Sequence, residues 1–500
     1  MSATLSKFKP SPMIALTALL VGLVSSAPDA SARSLGTLAF EPCTLTRSGT
    51  AQTVEAQCST LKVPENRAAP DARQIELAIA WVPAASAQAE PDPVFMLAGG
   101  PGQGARDSYP GLDAAFSRIG RQRHLILVDQ RGTGGSNPLE CVADGKNAFT
   151  DPQDQSIAAA RAFAERCAAE LGQRADLRYY TTTDAVADLD AVRAAIGAPT
   201  INLIGISYGT RVAQRYLATF PQRVRSMVLD GVVPSGLILG SEHARNLDAA
   251  IKLQFDRCAE VPACRAEFGD PNATLVALRT RLSQQPLTVD FRDPLSDQAV
   301  SDSLDASSLA TVVRLFAYAP MTAALLPRVL HQAANGEPEF LAAQARLIGD
   351  LIGDSIAHGM QLSVICAEDA PELKADPADA DSLLGNLLVE FSQAQCAVWP
   401  RGERPQDFFS PMVSDKPVLL LSGEFDPVTP PSYGEQALDG FANGRHLVAR
   451  GVGHNILAVG CVPRLVDRFI ADATAKDLDA QCLDVLTYTP PFIGSYGPEP

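Results

Sequence analysis

Between residues 94 and 230 short apolar runs alternate with stretches of helical spacing. Val94–Leu97, the run 124–128, Ile201-Asn202-Leu203-Ile204 and Val224–Asp230 are too short for helices and predict buried strands. Between them, 154–171, 183–196 and 211–218 carry helical periodicity. Strands alternating with helices predict a parallel sheet covered on both faces. Upstream, Gln74–Val82 begins with polar/apolar alternation and predicts a half-buried strand, after an N-terminal strand region over 33–75. The pattern changes near Pro234. From there to about Pro411, helical spacing dominates, as in 309–318, 323–334 and 338–352, with almost no strand signal. That length is too great for a loop and predicts an inserted helical cap over 236–410. The sheet pattern returns with strands at 417–423 and 445–449 and a last long helix at 463–473. The chain thus predicts an α/β fold with a mostly parallel central sheet. Its core is expected in two parts, 33–235 and 411–485, with an irregular Pro-containing tail over 486–500.

The first 32 residues stand outside this pattern. Lys7 and Lys9 precede the mostly apolar run 13–24, and Ala30-Ser31-Ala32 follows, so 1–32 is expected to be a signal peptide and the protein to be secreted or periplasmic. Removing Lys7, Lys9 and Asp29, a net +1, takes the formal charge from −16 to −17. Such acidity argues against nucleic acid or an anionic membrane as partner. Ten cysteines follow the leader: Cys43, Cys58, Cys141, Cys167, Cys258, Cys264, Cys366, Cys396, Cys461 and Cys482. An even number in an exported chain suggests disulfides. Spacing favours pairing between sequence neighbours, although the sequence alone does not fix it. No C-x-x-C suggests a zinc ribbon or a thiol redox site.

The candidate chemistry centres on Gly205-Ile206-Ser207-Tyr208-Gly209, a G-x-S-x-G between an expected strand and an expected helix. In that setting the motif means a nucleophile elbow, a tight turn that pushes the serine hydroxyl out at the sheet edge. A serine nucleophile needs a base and a group to orient the base. On such sheets the acid and then the histidine follow the serine in the chain. His243, His331 and His358 fall in the insertion, and His446 lies in an apolar strand where a structural role is expected. His454 follows that strand on Gly451-Val452-Gly453-His454-Asn455. The acid should follow the preceding strand. Asp426 does, with Glu424 as runner-up, whereas Asp415 precedes it. For the oxyanion, the backbone N–H groups of Tyr208 and of Gly100, in Gly99-Gly100-Pro101-Gly102, are the expected donors. Gly100 to Ala105 also fits a loose G-x-G-x-x-A with Asp129 beyond it, a weaker dinucleotide reading. Neither a Walker loop nor H-E-x-x-H occurs. The triad chemistry requires no metal or organic cofactor.

These motifs resemble those of a known family. Gly99-Gly100-Pro101-Gly102, Asp129-Gln130-Arg131-Gly132-Thr133-Gly134-Gly135-Ser136, the serine elbow, Gly423-Glu424-Phe425-Asp426-Pro427-Val428-Thr429-Pro430 and Gly453-His454 are similar to the signatures of secreted bacterial α/β-hydrolases. Within these they resemble the tripeptidyl aminopeptidase-like group, relatives of proline iminopeptidase. The resemblance runs from about residue 40 to 485. It implies the α/β-hydrolase fold with a helical cap over the site, and a peptide as substrate, with a small ester as the alternative. Ala98 stands where proline iminopeptidases carry His, which argues against a strict proline preference. In the family, acidic residues of the cap bind the substrate amine. By that analogy Glu368, with Asp369 second, is the expected amine site, on Cys366-Ala367-Glu368-Asp369. Asp230 stays unassigned.

Overall fold

A computed structural model describes residues 33–497 except 48, 144–145, 148–155 and 495–496, so the expected signal peptide lies outside the described residues. Ten strands form one sheet: β1 (Arg33–Leu35), β2 (Leu38–Thr46), β3 (Thr53–Pro64), β4 (Gln74–Val82), β5 (Val94–Leu97), β6 (Leu125–Val128), β7 (Ile201–Ile206), β8 (Val224–Asp230), β9 (Ser414–Gly423) and β10 (Phe441–Ala449). Their spatial order is β1-β2-β3-β4-β6-β5-β7-β8-β9-β10. β1 to β4 form an antiparallel meander that joins β6 antiparallel. From β6 to β10 every pairing is parallel.

The uninterrupted apolar runs follow from burial on both faces. Phe95, Leu97, Ile126, Val128, Leu203 and Leu420 point into one core with helices Ile157–Leu171, Thr182–Ala195 and Tyr208–Thr219. Their neighbours Val94, Met96, Leu125, Leu127, Ile204 and Leu421 point to the other, with Val462–Asp472. That last helix is the most one-sided in the core, with Val462, Leu465, Val466, Phe469 and Ile470 inward.

The insertion differs from expectation in two ways. Helices His243–Glu260, Pro271–Gln284, Ala306–Phe316, Leu326–Ala334 and Glu339–Ser355 build a separate apolar core around Leu247, Leu278, Val312 and Leu330. Among them sits an antiparallel hairpin, Leu287–Arg292 against Ala299–Leu304. Its first strand alternates Leu287, Val289 and Phe291 with Thr288, Asp290 and Arg292, a period-two signal hidden among helical neighbours. Helices His358–Glu368 and Leu387–Cys396 leave the cap altogether. Met360, Leu362, Val364, Cys366 and Cys396 pack with the sheet, so these two helices belong to the main core despite their helical spacing, while Leu383 and Leu384 between them pack on the cap core.

Five disulfides join Cys43–Cys58, Cys141–Cys167, Cys258–Cys264, Cys366–Cys396 and Cys461–Cys482. The fourth clamps the two returning helices together. No helix among the described residues is long and apolar enough to cross a membrane.

Candidate active site

β7 ends at Ile206, and the chain turns within one residue into the helix that starts at Tyr208. Ser207 makes this turn at φ 54°, a left-handed conformation that costs a non-glycine residue of order 1–3 kcal/mol. The flanking glycines permit it. A Cβ on Gly205 would collide with the Gly209 carbonyl, and one on Gly209 with the Leu97 carbonyl of β5. Ser207 is partly exposed, while Tyr208 is buried. Ser207 N–H donates to the Asp230 carbonyl at 2.8 Å, which fixes the turn to the end of β8.

Asp426 lies just past β9. Its Oδ1 accepts the Val428 and Thr429 backbone N–H groups at 2.9 and 2.8 Å, an Asx-type turn in which the side chain holds its own loop. Oδ2 faces His454 Nδ1 at 2.8 Å and accepts the Thr429 hydroxyl at 2.8 Å. A carboxylate cannot donate, so Nδ1 carries the proton and Nε2 is left with a free lone pair. His454, its side chain 7% exposed, is held through its backbone as well. Its N–H donates to the Tyr318 carbonyl of the cap at 2.8 Å, and the Tyr318 ring meets the imidazole edge-on at 5.1 Å. Burial pushes the imidazole down, but the Asp426 carboxylate more than offsets it, Asp230 adds to that, and the result lies above the ordinary histidine range.

Asp230 explains how serine and histidine are kept in register. It is fully buried at the tip of β8. Its carboxylate accepts Ile456 N–H at 2.8 Å and Leu457 N–H at 2.9 Å, just after His454, and burial lifts its pKa to about 6. Its carbonyl holds Ser207 and also accepts Asn455 Nδ2 at 3.0 Å. A Cβ on the next residue, Gly231, would stand 3.1 Å from His454 Cε1. One strand end therefore anchors both the Ser207 turn and the His454 loop. The sequence placed Asp230 at a strand end but carried no sign of these partners.

The Gly99–Gly102 loop lies against the serine: a Cβ on Gly99 would stand 3.2 Å from Ser207 Cβ. Gly100 adopts φ 105° there, open only to glycine at low cost. Asp129, the acid of the dinucleotide reading, is spent internally. It accepts the N–H groups of Arg106 and Gly135, both at 2.9 Å, and ties this loop to the next. Glu424 is likewise engaged, by Gly451 N–H and the Tyr488 hydroxyl. His446 bonds Ser422 Oγ and packs on Gly434, away from the triad. His331 packs on Phe268, and His358 is buried, its pKa lowered to about 4.

The expected amine site is not formed. Glu368 and Asp369 are both fully buried. Asp369 makes a two-point pair with Arg211 at 2.9 and 3.0 Å. Glu368 accepts Thr182 N–H at 2.6 Å and the Thr182 hydroxyl at 2.8 Å, with Arg211 at 3.7 Å. The physical reason is the return of His358–Glu368 to the core. There the acidic pair meets Arg211, on the helix that follows Ser207, instead of solvent. The Thr182 hydroxyl lies 2.7 Å from the Tyr208 hydroxyl, which also accepts Gln130 Nε2 at 3.1 Å. Glu368 thus ends a buried chain that reaches Tyr208, the residue after Ser207. No group of three or more His, Cys, Asp or Glu among the described residues is placed to hold a metal ion.

The chain belongs to the α/β-hydrolase family, whose fold signature matches residues 92–460. Among curated relatives it is similar to the serine protease Hip1 of Mycobacterium tuberculosis, at 25% identity over 85% of this chain and 87% of that one. It is similar to the tripeptidyl aminopeptidase of Streptomyces lividans at 25% identity over 87% and 85%. It is also similar to carboxylesterase B of Mycobacterium tuberculosis at 27% identity over 85% and 86%. The protein is therefore an α/β-hydrolase enzyme with peptidase and esterase relatives alike.

Proposed function

We propose that this protein is an exported serine aminopeptidase that releases residues or short peptides from peptide N-termini through an acyl-enzyme. The observation that carries the catalytic part is the Asp426–His454 contact, beside a serine held at positive φ on the same sheet edge. Ser207 Oγ attacks the scissile carbonyl while His454 Nε2 takes its proton. Asp426, steadied by Thr429, holds the imidazole tautomer and stabilises the imidazolium. The N–H groups of Tyr208 and Gly100 receive the oxyanion. His454 then protonates the leaving amine, and water attacks the acyl-Ser207 ester by the same base. The aminopeptidase part rests on the motif set and on the relatives named for peptide cleavage. Five disulfides and the leader-like first 32 residues support export.

A carboxylesterase on the same triad is the second reading, favoured by the carboxylesterase relative. A panel of chromogenic peptides with free and acetylated N-termini, run beside neutral esters, separates the two. An aminopeptidase loses about 100-fold or more in kcat/KM on acetylation, because polar recognition of a free amine is lost when the amine is blocked. Equal rates on free and acetylated peptides would end the aminopeptidase reading. Cleavage of esters alone would establish the esterase.

A further inference from the structure

One charged side chain beside the catalytic imidazole has no partner. The cap helix Ala306–Phe316 ends on the histidine loop: Ala317 and Tyr318 present their carbonyls to Gly453, and Tyr318 accepts His454 N–H. Arg314 lies in the last turn of this helix, four residues before Tyr318, at the end that meets the His454 loop. Its charge bears on His454 and also on His243 at the start of the neighbouring cap helix. Yet the half-buried Arg314 has no hydrogen bond or ion pair among the described residues. The carboxylates that act on His454 are engaged elsewhere: Asp426 with His454 and its own loop, and Asp230 with Ile456 and Leu457.

An unpaired guanidinium whose charge reaches the imidazole is a poor neighbour for a base that must become an imidazolium, because like charges repel. The arrangement makes chemical sense if the substrate brings an anion. His454 Nε2 hands its proton to the leaving atom, so the leaving group stands beside the imidazole. The acyl oxygen instead faces the backbone donors at Tyr208 and Gly100. We propose that Arg314 is a subsite for a carboxylate carried by the leaving group, the α-carboxylate of a single released C-terminal residue being the fitting case. This makes short peptides, cleaved one residue from their C-terminal end, the preferred substrates, and it rests on the serine-hydrolase mechanism above. A carboxylate in the first leaving-group side chain offers the same chemistry from a second source.

Three substrate pairs test it. The first pair is a free-amine peptide ending in alanine, as the acid and as the amide. The second carries Asp against Asn at the first leaving position, with the C-terminus amidated. The third is a 4-nitrophenyl ester against its 3-carboxy-4-nitrophenyl counterpart. In the wild-type enzyme the acid of the first pair should exceed the amide by about tenfold or more in kcat/KM, as expected for a charge-assisted two-point contact. Arg314→Ala should bring that ratio close to one, and Arg314→Lys should retain part of it. Differences intrinsic to the leaving groups cancel when wild-type and variant ratios are compared. A wild-type ratio near one in all three pairs overturns the proposal, as does a ratio that survives Arg314→Ala. Preference in the second pair alone assigns the carboxylate to a side chain and overturns the C-terminal case. If Arg314→Ala does not fold by circular dichroism, Arg314→Gln takes its place. If only the esters are cleaved, the aminopeptidase reading falls, while the third pair still decides on Arg314.

Discussion

Glu368→Gln turns the buried chain behind Tyr208 into a measurable quantity. In the native protein Thr182 donates both its N–H and its hydroxyl to Glu368. The Tyr208 hydroxyl must then donate to Thr182 Oγ1, since Gln130 donates to Tyr208. In the Glu368→Gln protein the amide NH₂ occupies the Oε2 position and donates to Thr182, so Thr182 must turn its proton to Tyr208. The Tyr208 proton is left without an acceptor, a buried loss of about 1–3 kcal/mol. Against this stands the charge. Burial lifts Glu368 from the ordinary 4.5 to about 7, opposed by Arg211 and by the Thr182 bonds and reinforced by Asp369. A carboxyl raised on folding binds its proton more tightly in the folded state. Its contribution is therefore full below the unfolded pKa and is lost as pH climbs from 4.5 to 7. At about 1.4 kcal/mol per unit, the loss amounts to about 3 kcal/mol. Gln carries no such slope. At pH 5 the Glu368→Gln protein should be the less stable by about 1–3 kcal/mol, and by pH 8.5 the gap should close or reverse. Urea unfolding of both proteins at the two pH values, with disulfides intact, measures this directly. A stability difference that is the same at pH 5 and 8.5 would refute the reasoning, because Glu368 would then carry the same charge folded and unfolded.

Ser207→Ala should keep the fold and lose at least about 10⁴-fold in kcat, with no labelling by a fluorophosphonate, since triad members act as a unit; near-normal turnover by the folded variant would exclude the mechanism. The base must be neutral to act, and Asp426 holds His454 above the ordinary range, so the acid limb of kcat/KM should fall above about pH 6.5. Asp426→Asn should cut kcat by about 10⁴-fold through the wrong tautomer, and a loss under tenfold would remove Asp426 from its role. Alkylation of the denatured, unreduced protein should find no free thiol, and peptide mapping should return the five neighbouring pairs.

What the sequence determined by itself is local. A strand, a serine between two glycines and a helix specify the elbow, because backbone contacts within a few residues demand glycine at 205 and 209. The contact between Asp426 and His454 was legible because each follows a strand in a turn-forming segment, and parallel strands bring such segments to one edge. The two-faced strands were legible as continuous apolar runs for the same reason. Long-range pairing was not. Cys366-Ala367-Glu368-Asp369 reads as an acidic turn, and nothing nearby in the chain says whether its partner is solvent, a substrate amine or an arginine. Only the packing of His358–Glu368 against the sheet brings it to Arg211, more than 150 residues away, and makes it structural. Asp230 likewise ends a strand like many others until the fold delivers Ile456 and Leu457 to it. Arg314 is one more charge on an amphipathic helix, and only the docking of that helix on the His454 loop brings its charge to bear on the imidazole. Side-chain partners across the sheet and the cap depend on how whole elements pack, and that is decided in three dimensions.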